Sequence, residues 1–275
     1  MTTRRLVLGG MAASGIMAMG GCNRSRKLDS IAALRERAES GKLTVGFIPY
    51  YEISTDQGPA HPPTGFLVDV FKLFAQYARL PLERIKWRSL SWDSFAPLIQ
   101  QGAVDFSIAG TFITPARQEK VAFTRPLFSL GNGAATRAND ARFNDVTDVR
   151  QLDRKDIRIA VVAGEQSAEY VRREFTNATI LNLDGPDLAA APRAVKEGRA
   201  DVAMSDQFIL SRYIVENPDL VDRLRNAPFS VLQIAWAVSK ENIELLSQIN
   251  PILDSLVASD AFASLKKAYP VIPFA

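Results

Sequence analysis

The sequence predicts an α/β fold of two similar lobes that face each other across a cleft. Three observations predict it. Strand-like and helix-like segments alternate along the body of the 275-residue chain, which implies parallel sheets joined by crossover helices. A ten-residue pattern, Gln101-Gly-Ala-Val-Asp-Phe-Ser-Ile-Ala-Gly110, returns as Glu197-Gly-Arg-Ala-Asp-Val-Ala-Met-Ser-Asp206. In both copies a helix-stopping glycine and a turn aspartate precede a buried strand that ends at a polar mouth. Finally, 134–136 and 230–232 are candidate strands crossing between the lobes, and two crossings form a hinge.

The elements follow in order. Leu43 to Ile48 alternates and is β-rich, so it reads as a strand. Leu67, Val70, Phe71, Phe74, Tyr77 and Ala78 recur at helical spacing after Gly65. Arg84 to Arg88 is a short strand, and Trp92 to Gln101 a helix with Phe95, Leu98 and Ile99 inward. Val104 to Ala109 is a buried strand, and Thr114-Pro115 opens another helix with an N-cap and a proline at its first position. Gly131-Asn-Gly133 reads as a turn. In the second half Ile157–Val162, Thr179–Leu183 and Asp201–Ser205 are strands. They alternate with helices over Ser167–Phe175, Leu188–Glu197 and Gln207–Val215. Phe229 to Ser239 is a strand, followed by helices over Ile243–Val257 and Asp260–Tyr269. The expected division is lobe 1 over 43–133 plus 233–275, and lobe 2 over 134–232.

Composition is that of an ordinary globular protein, with 47% apolar and 23% charged residues. The net charge of +3 is unevenly placed. Two of the 33 bases lie in residues 1–21 and six in 22–42, the latter with three of the 30 acids; 25 bases then face 27 acids from Leu43 onward. The body is slightly acidic, which argues against a nucleic-acid partner. One cysteine, Cys22, excludes a disulfide framework, and one histidine, His61, excludes a zinc cluster or multi-imidazole catalysis. No cofactor motif is present, and His61, in a Pro-rich loop, reads as a solvated residue.

Residues 1–21 read as an export signal. Arg4 and Arg5 precede an uncharged run from Leu6 to Gly21, shorter and richer in Gly and Ala than a membrane-spanning helix. Met19-Gly20-Gly21-Cys22 resembles a bacterial lipobox, which implies a lipidated Cys22 and a membrane anchor, with 22–42 as tether plus a short helix. Arg4-Arg5 resembles a twin-arginine signal. The protein is thereby expected outside the cytoplasm. An uncleaved N-terminal membrane helix is the alternative.

Chemistry is expected where strands end at the cleft. Arg117 lies in the first turn after Thr114-Pro115, where a guanidinium beside helix N-terminal amides forms a carboxylate receptor; pairing with Glu119 or Asp105 is the alternative. Asp206 ends the equivalent strand of the second copy, where its carboxylate suits an ammonium group, caps the next helix, or does both. This plus and minus on opposite walls fit a zwitterion. Tyr50, Tyr51 and Trp92 follow the first two strands and are candidate walls for a ligand side chain.

These residues resemble the bacterial extracellular solute-binding proteins of the polar amino acid class, family 3, which serve ABC importers. The resemblance rests on Trp92-Asp-Ser-Phe95, Gly102-Ala-Val-Asp105, Ala109-Gly-Thr-Phe-Ile-Thr-Pro-Ala-Arg117 and Val121-Ala-Phe-Thr-Arg-Pro126. Gly65-Phe-Leu-Val-Asp69 and Ala235-Trp-Ala-Val-Ser-Lys240 extend it. It implies a type II periplasmic-binding-protein-like fold that works as a monomer with a small carboxylated ligand and a permease. Arg117 would hold the α-carboxylate, Asp206 and the Gly110 carbonyl the ammonium, and Trp92 with Tyr50 or Tyr51 the side chain. Two positions depart from the family pattern. Phe112 replaces a hydroxyl residue, leaving only its backbone amide, and Gly164-Glu165-Gln166 replaces a Gly-Thr-Thr loop, placing an acid near the expected carboxylate. Two other readings remain: a cyclohexadienyl-dehydratase-like enzyme with Glu165 as general acid, and a ligand sensor read by another protein.

Overall fold

The structure is a computed structural model, described here over residues 27–185 and 187–274. The expected export signal, the Cys22 anchor and the start of the tether lie outside the described residues. The helical part of that tether, α1 (Ile31–Glu39), is capped by the Ser30 hydroxyl and buries Leu34 and Ala38. It lies against α8 (Ile243–Val257), and Ile31 N–H donates to Gln248 Oε1 at 3.1 Å.

The first parallel unit comprises β1 (Thr44–Phe47), α2 (Phe66–Ala78), β2 (Lys86–Ser89), α3 (Phe95–Gln100) and β3 (Phe106–Phe112). β1 pairs in parallel with both β2 and β3. The four-residue α4 (Pro115–Gln118) and the short β4 (Ala122–Phe123) lead to β5 (Phe128–Arg137). The second unit comprises β6 (Arg158–Val162), α5 (Gln166–Glu174), β7 (Thr179–Leu183), α6 (Ala190–Lys196), β8 (Val202–Asp206) and α7 (Gln207–Glu216). Here β6 pairs in parallel with β7 and β8. β9 (Leu220–Asp222), β10 (Phe229–Val238), α8 and α9 (Asp260–Ala268) complete the chain.

β5 and β10 join the two units. β10 runs antiparallel to β3, β5 runs antiparallel to β8, and β5 and β10 pair with each other. The continuous strand order is therefore β2-β1-β3-β10-β5-β8-β6-β7. Their mutual register breaks between Phe229 and Leu232, and Ser230 there has a φ of 48°. Gly131-Asn-Gly133, read from the sequence as a turn, lies inside β5. Gly133 is needed there because an added Cβ would fall within 3 Å of the Asp222 carboxylate. Asp222 accepts the Ala134 N–H at 2.9 Å, so its carboxylate occupies the space that a side chain would need.

The two copies of the repeat fold alike. Gly102 (φ 70°) and Gly198 (φ 76°) end α3 and α6 in the left-handed region. The aspartate three residues later then satisfies the first N–H of the neighbouring strand: Asp105 accepts from Thr44 N and Asp201 from Arg158 N, both at 2.9 Å. Each also takes a guanidinium, from Arg37 at 2.9 Å and Arg158 at 3.1 Å respectively.

The core of the first unit centres on Trp236, fully buried, with the rings of Phe71, Phe74 and Phe106 edge-on around it at 5.5–5.8 Å. Burying each such side chain contributes about 1.5–3 kcal/mol over leaving it exposed. The second unit packs Phe143, Ile159, Val161, Val202 and Met204 on one face of its sheet and Ala160, Ala194, Ala203 and Leu210 on the other.

Candidate functional site

Parallel strands leave their carboxyl ends free for side chains of the following loops. Residues from five such ends meet here. Tyr50 follows β1, Trp92 follows β2, Phe112 closes β3 and Arg117 follows it, Glu165 and Gln166 follow β6, and Asp206 closes β8. Trp92, Phe112, Arg117, Glu165, Gln166, Asp206 and Asn132 line a small cavity of about 10 Å³.

Arg117 is 5% exposed. Its Nη1 donates to the Phe112 carbonyl at 3.2 Å and its Nη2 to the Gly164 carbonyl at 2.8 Å, the latter across the cleft. Nε lies 3.6 Å from Glu169 Oε1. The ion-pair partner is thus Glu169 on the opposite unit rather than Glu119 or Asp105; Asp105 is held by Arg37. Its guanidinium carbon sits 5.8 Å from the Trp92 ring centroid and 5.7 Å from that of Phe95. Burial lowers its affinity for a proton and Glu169 opposes that shift, while a guanidinium stays charged regardless. Each terminal nitrogen retains a second N–H, the pair needed for a bidentate carboxylate.

Asp206, also 5% exposed, caps α7 by accepting the Ile209 N–H at 3.0 Å and takes the Tyr50 hydroxyl from the other unit. Burial pushes its carboxyl up to about 6 against the pull of these hydrogen bonds. Desolvation, reinforced by Asp206, holds the Tyr50 hydroxyl well above its ordinary value, so Tyr50 is the donor. Tyr50 stands edge-on to Trp92 at 5.9 Å and to Phe208 at 5.3 Å.

Glu165 points inward and is 6% exposed. Its Oε2 accepts from Ser205 Oγ at 2.9 Å and Ser167 Oγ at 3.3 Å, while Oε1 is buried without a partner among the described residues. Burial and then the charge of Asp206 push its carboxyl up to about 8, so at neutral pH it carries a proton.

Tyr50, buried with its hydroxyl on Asp206, lies off the cavity lining, as do the other sequence-based candidates. Tyr51 packs against Phe208 at 6.2 Å with a φ of 45°. Gly110 (φ 63°) sits in β3, its Cβ direction facing Leu67, Ile234 and Ile53. His61 is exposed, in an open groove beside Trp87 and Asp56. Among the described residues no group of His, Cys, Asp and Glu could hold a metal ion. No described helix is long and apolar enough to cross a membrane.

Asn132 is the lining residue that sequence reasoning missed. Its Nδ2 donates to Gln166 Oε1 at 2.6 Å and to the Ser230 carbonyl at 3.3 Å, which ties the two crossing strands to α5. Gln166 Nε2 in turn donates to Ser230 Oγ at 2.8 Å. The available signal was a polar residue between two glycines in an otherwise apolar run.

Comparison with known proteins gives a consistent result. The family model described as "Bacterial extracellular solute-binding proteins, family 3" matches residues 43–271. The glutamine-binding protein GlnH of an ABC transporter from Bacillus subtilis is 23% identical over 257 residues, covering 91% of this chain and 88% of that one. The solute receptor for L-cysteine from Neisseria gonorrhoeae superposes with a TM-score of 0.74 at 21% identity, over 88% and 94% of the two chains. An ancestral amino acid-binding protein, AncCDT-1, a precursor of cyclohexadienyl dehydratase, gives 0.73 at 24% identity, over 86% and 98%. The fold is the two-lobed α/β arrangement of type II periplasmic binding proteins.

Proposed function

The chain belongs to the bacterial extracellular solute-binding proteins, family 3, and we propose that it captures an amino acid or related small carboxylated solute for delivery to an ABC importer. In this reading lobe 1 comprises 43–133 and 233–275, lobe 2 comprises 134–232, and the two close over the ligand as a monomer tethered through a lipidated Cys22. The observation that carries the reading is the buried pair on opposite walls of one cavity, the Arg117 guanidinium and the Asp206 carboxylate. Arg117 receives the α-carboxylate through its remaining N–H groups, helped by the indole Nε1 of Trp92, which is buried without a partner among the described residues. Asp206 receives the ammonium, and Trp92 forms the aromatic wall with Tyr50 edge-on behind it. Ligand contacts to both walls favour the closed arrangement over the open one, which is how binding drives closure.

A second reading has one observation in its favour. A buried carboxyl held at about 8, as on Glu165, is poised as a general acid, the chemistry a dehydratase of this fold would use. Titration calorimetry with the common amino acids, alongside an assay of prephenate and arogenate turnover, separates the two. Stoichiometric binding of an amino acid without turnover supports capture; catalytic loss of either ring acid overturns it in favour of the enzyme.

A further inference from the structure

Three polar atoms on the cavity lining are buried without a protein partner among the described residues: Glu165 Oε1, Asn132 Oδ1 and Trp92 Nε1. Asn132 Nδ2 is committed to two carbonyl oxygens, which leaves Oδ1 as an acceptor. Unpaired buried groups of this kind are costly, so they define what a complementary ligand must bring. Trp92 Nε1 asks for an acceptor and Asn132 Oδ1 for a donor. Glu165 Oε1 can accept a charge-assisted donor once its carboxyl is ionised.

The charge count points the same way. Three acids gather around one guanidinium: Glu165 at the N-terminus of α5 and Glu169 one turn further along it act on Arg117, and Asp206 at the end of β8 acts on Glu165. The remaining groups around Glu165 are the Ser205 and Ser167 hydroxyls and the Tyr50 phenol, none of them cationic. A zwitterion is neutral, so when its carboxylate meets Arg117 and its ammonium meets Asp206, the excess of acid remains and Glu165 Oε1 is still unpaired. A ligand with one further positive group gives Glu165 Oε1 a partner and balances the negative charge that its ionisation adds.

Resting on the amino-acid reading above, we infer that Glu165 is a specificity-determining residue. It selects a ligand with a second cation, of the basic amino acid class, and gives up its own proton to solvent as that cation binds. In the free protein the carboxyl is protonated at neutral pH because burial and Asp206 hold it near 8. The ligand cation stabilises the carboxylate, the O–H bond breaks, the proton passes to buffer, and an ion pair takes its place. A proton therefore competes with the ligand, and affinity for a basic ligand rises with pH up to about 8.

The test is titration calorimetry of the purified protein with L-arginine and L-lysine, and with their neutral counterparts L-citrulline and L-norleucine. Each titration is run at pH 7 in two buffers of different ionisation enthalpy. The expected result is at least tenfold tighter binding of the basic pair, with release of close to one proton per ligand. Affinity for the basic pair should also climb several-fold between pH 6.5 and 8. In Glu165→Gln the preference and the proton release should disappear while neutral amino acids still bind, which also shows that the variant folds. Tight binding of a neutral amino acid with no proton exchanged and no preference for the basic pair, measured on the unaltered protein, overturns the inference but leaves the cleft assignment intact. If no amino acid binds at all, the amino-acid reading falls and the inference with it.

Discussion

Arg117 and Asp206 are each buried, and each already spends part of its hydrogen-bonding capacity inside the protein. Replacing Asp206 by Asn should therefore keep the α7 cap while removing the charge. Binding of amine-bearing ligands should weaken at least tenfold and that of non-amine acids much less; equal loss for both would contradict its role toward ammonium. Glu165 adds a pH effect on stability. Its carboxyl is near 8 folded, against an ordinary value of 4.5, so the native state binds the proton more tightly than the unfolded chain. That contribution is fully present below about pH 4.5 and is lost as pH rises through 8. The melting temperature should fall from pH 5 to 8, and Glu165→Gln should flatten the fall; parallel curves for the two proteins would show that Glu165 is ionised throughout. Arg117 and Asp206 were legible because strand ends and a repeat position marked them. The inward aim of Glu165 was not, since its direction depends on Ser205, forty residues away and brought close by the pairing of β6 with β8.

At the scale of elements, the repeat had the most predictive content. Its glycine and aspartate perform the same two tasks in both units, ending a helix and satisfying the first N–H of the adjacent strand. Asp201 also draws in Arg137, Arg142 and Arg158, at 3.6, 3.0 and 3.1 Å, and against the effect of burial the hydrogen bonds from Arg158 and Arg142 hold its carboxyl far below the usual range. Asp201→Ala should destabilise the protein by about 2–3 kcal/mol. This lies below the roughly 3–5 kcal/mol for breaking a fully buried pair, because the arginines remain partly exposed. Chemical denaturation measures it, and a change below about 0.5 kcal/mol would show that the cluster is a surface ornament. Helix and strand periodicity located nearly every element to within a few residues. The long β5 escaped because two glycines flanking an asparagine look locally like a turn. Only the Asp222 carboxylate, which fills the space beside Gly133, reveals why glycine is needed in that strand.

Across the whole molecule, the polar links that bring the two units into contact include three hydrogen bonds: Arg117 to the Gly164 carbonyl, Tyr50 to Asp206, and Arg212 to Glu52 at 3.0 Å. Two of these three use groups assigned to the ligand, so the residues that close the cleft are those that bind in it. The two-lobed plan was readable from strand–helix alternation, the repeat and the crossing segments. The cleft contacts were not, because they join residues 47 and 156 positions apart whose meeting depends on how the lobes close. The most direct test of the central claim, capture of an amino acid through Arg117, is a calorimetric titration of the protein and of Arg117→Ala with the amino acid that binds best. The account predicts one site per chain and a loss of about 2–4 kcal/mol in the variant, the cost of leaving a buried charge unpaired. Unchanged affinity in Arg117→Ala would contradict it and place the ligand elsewhere.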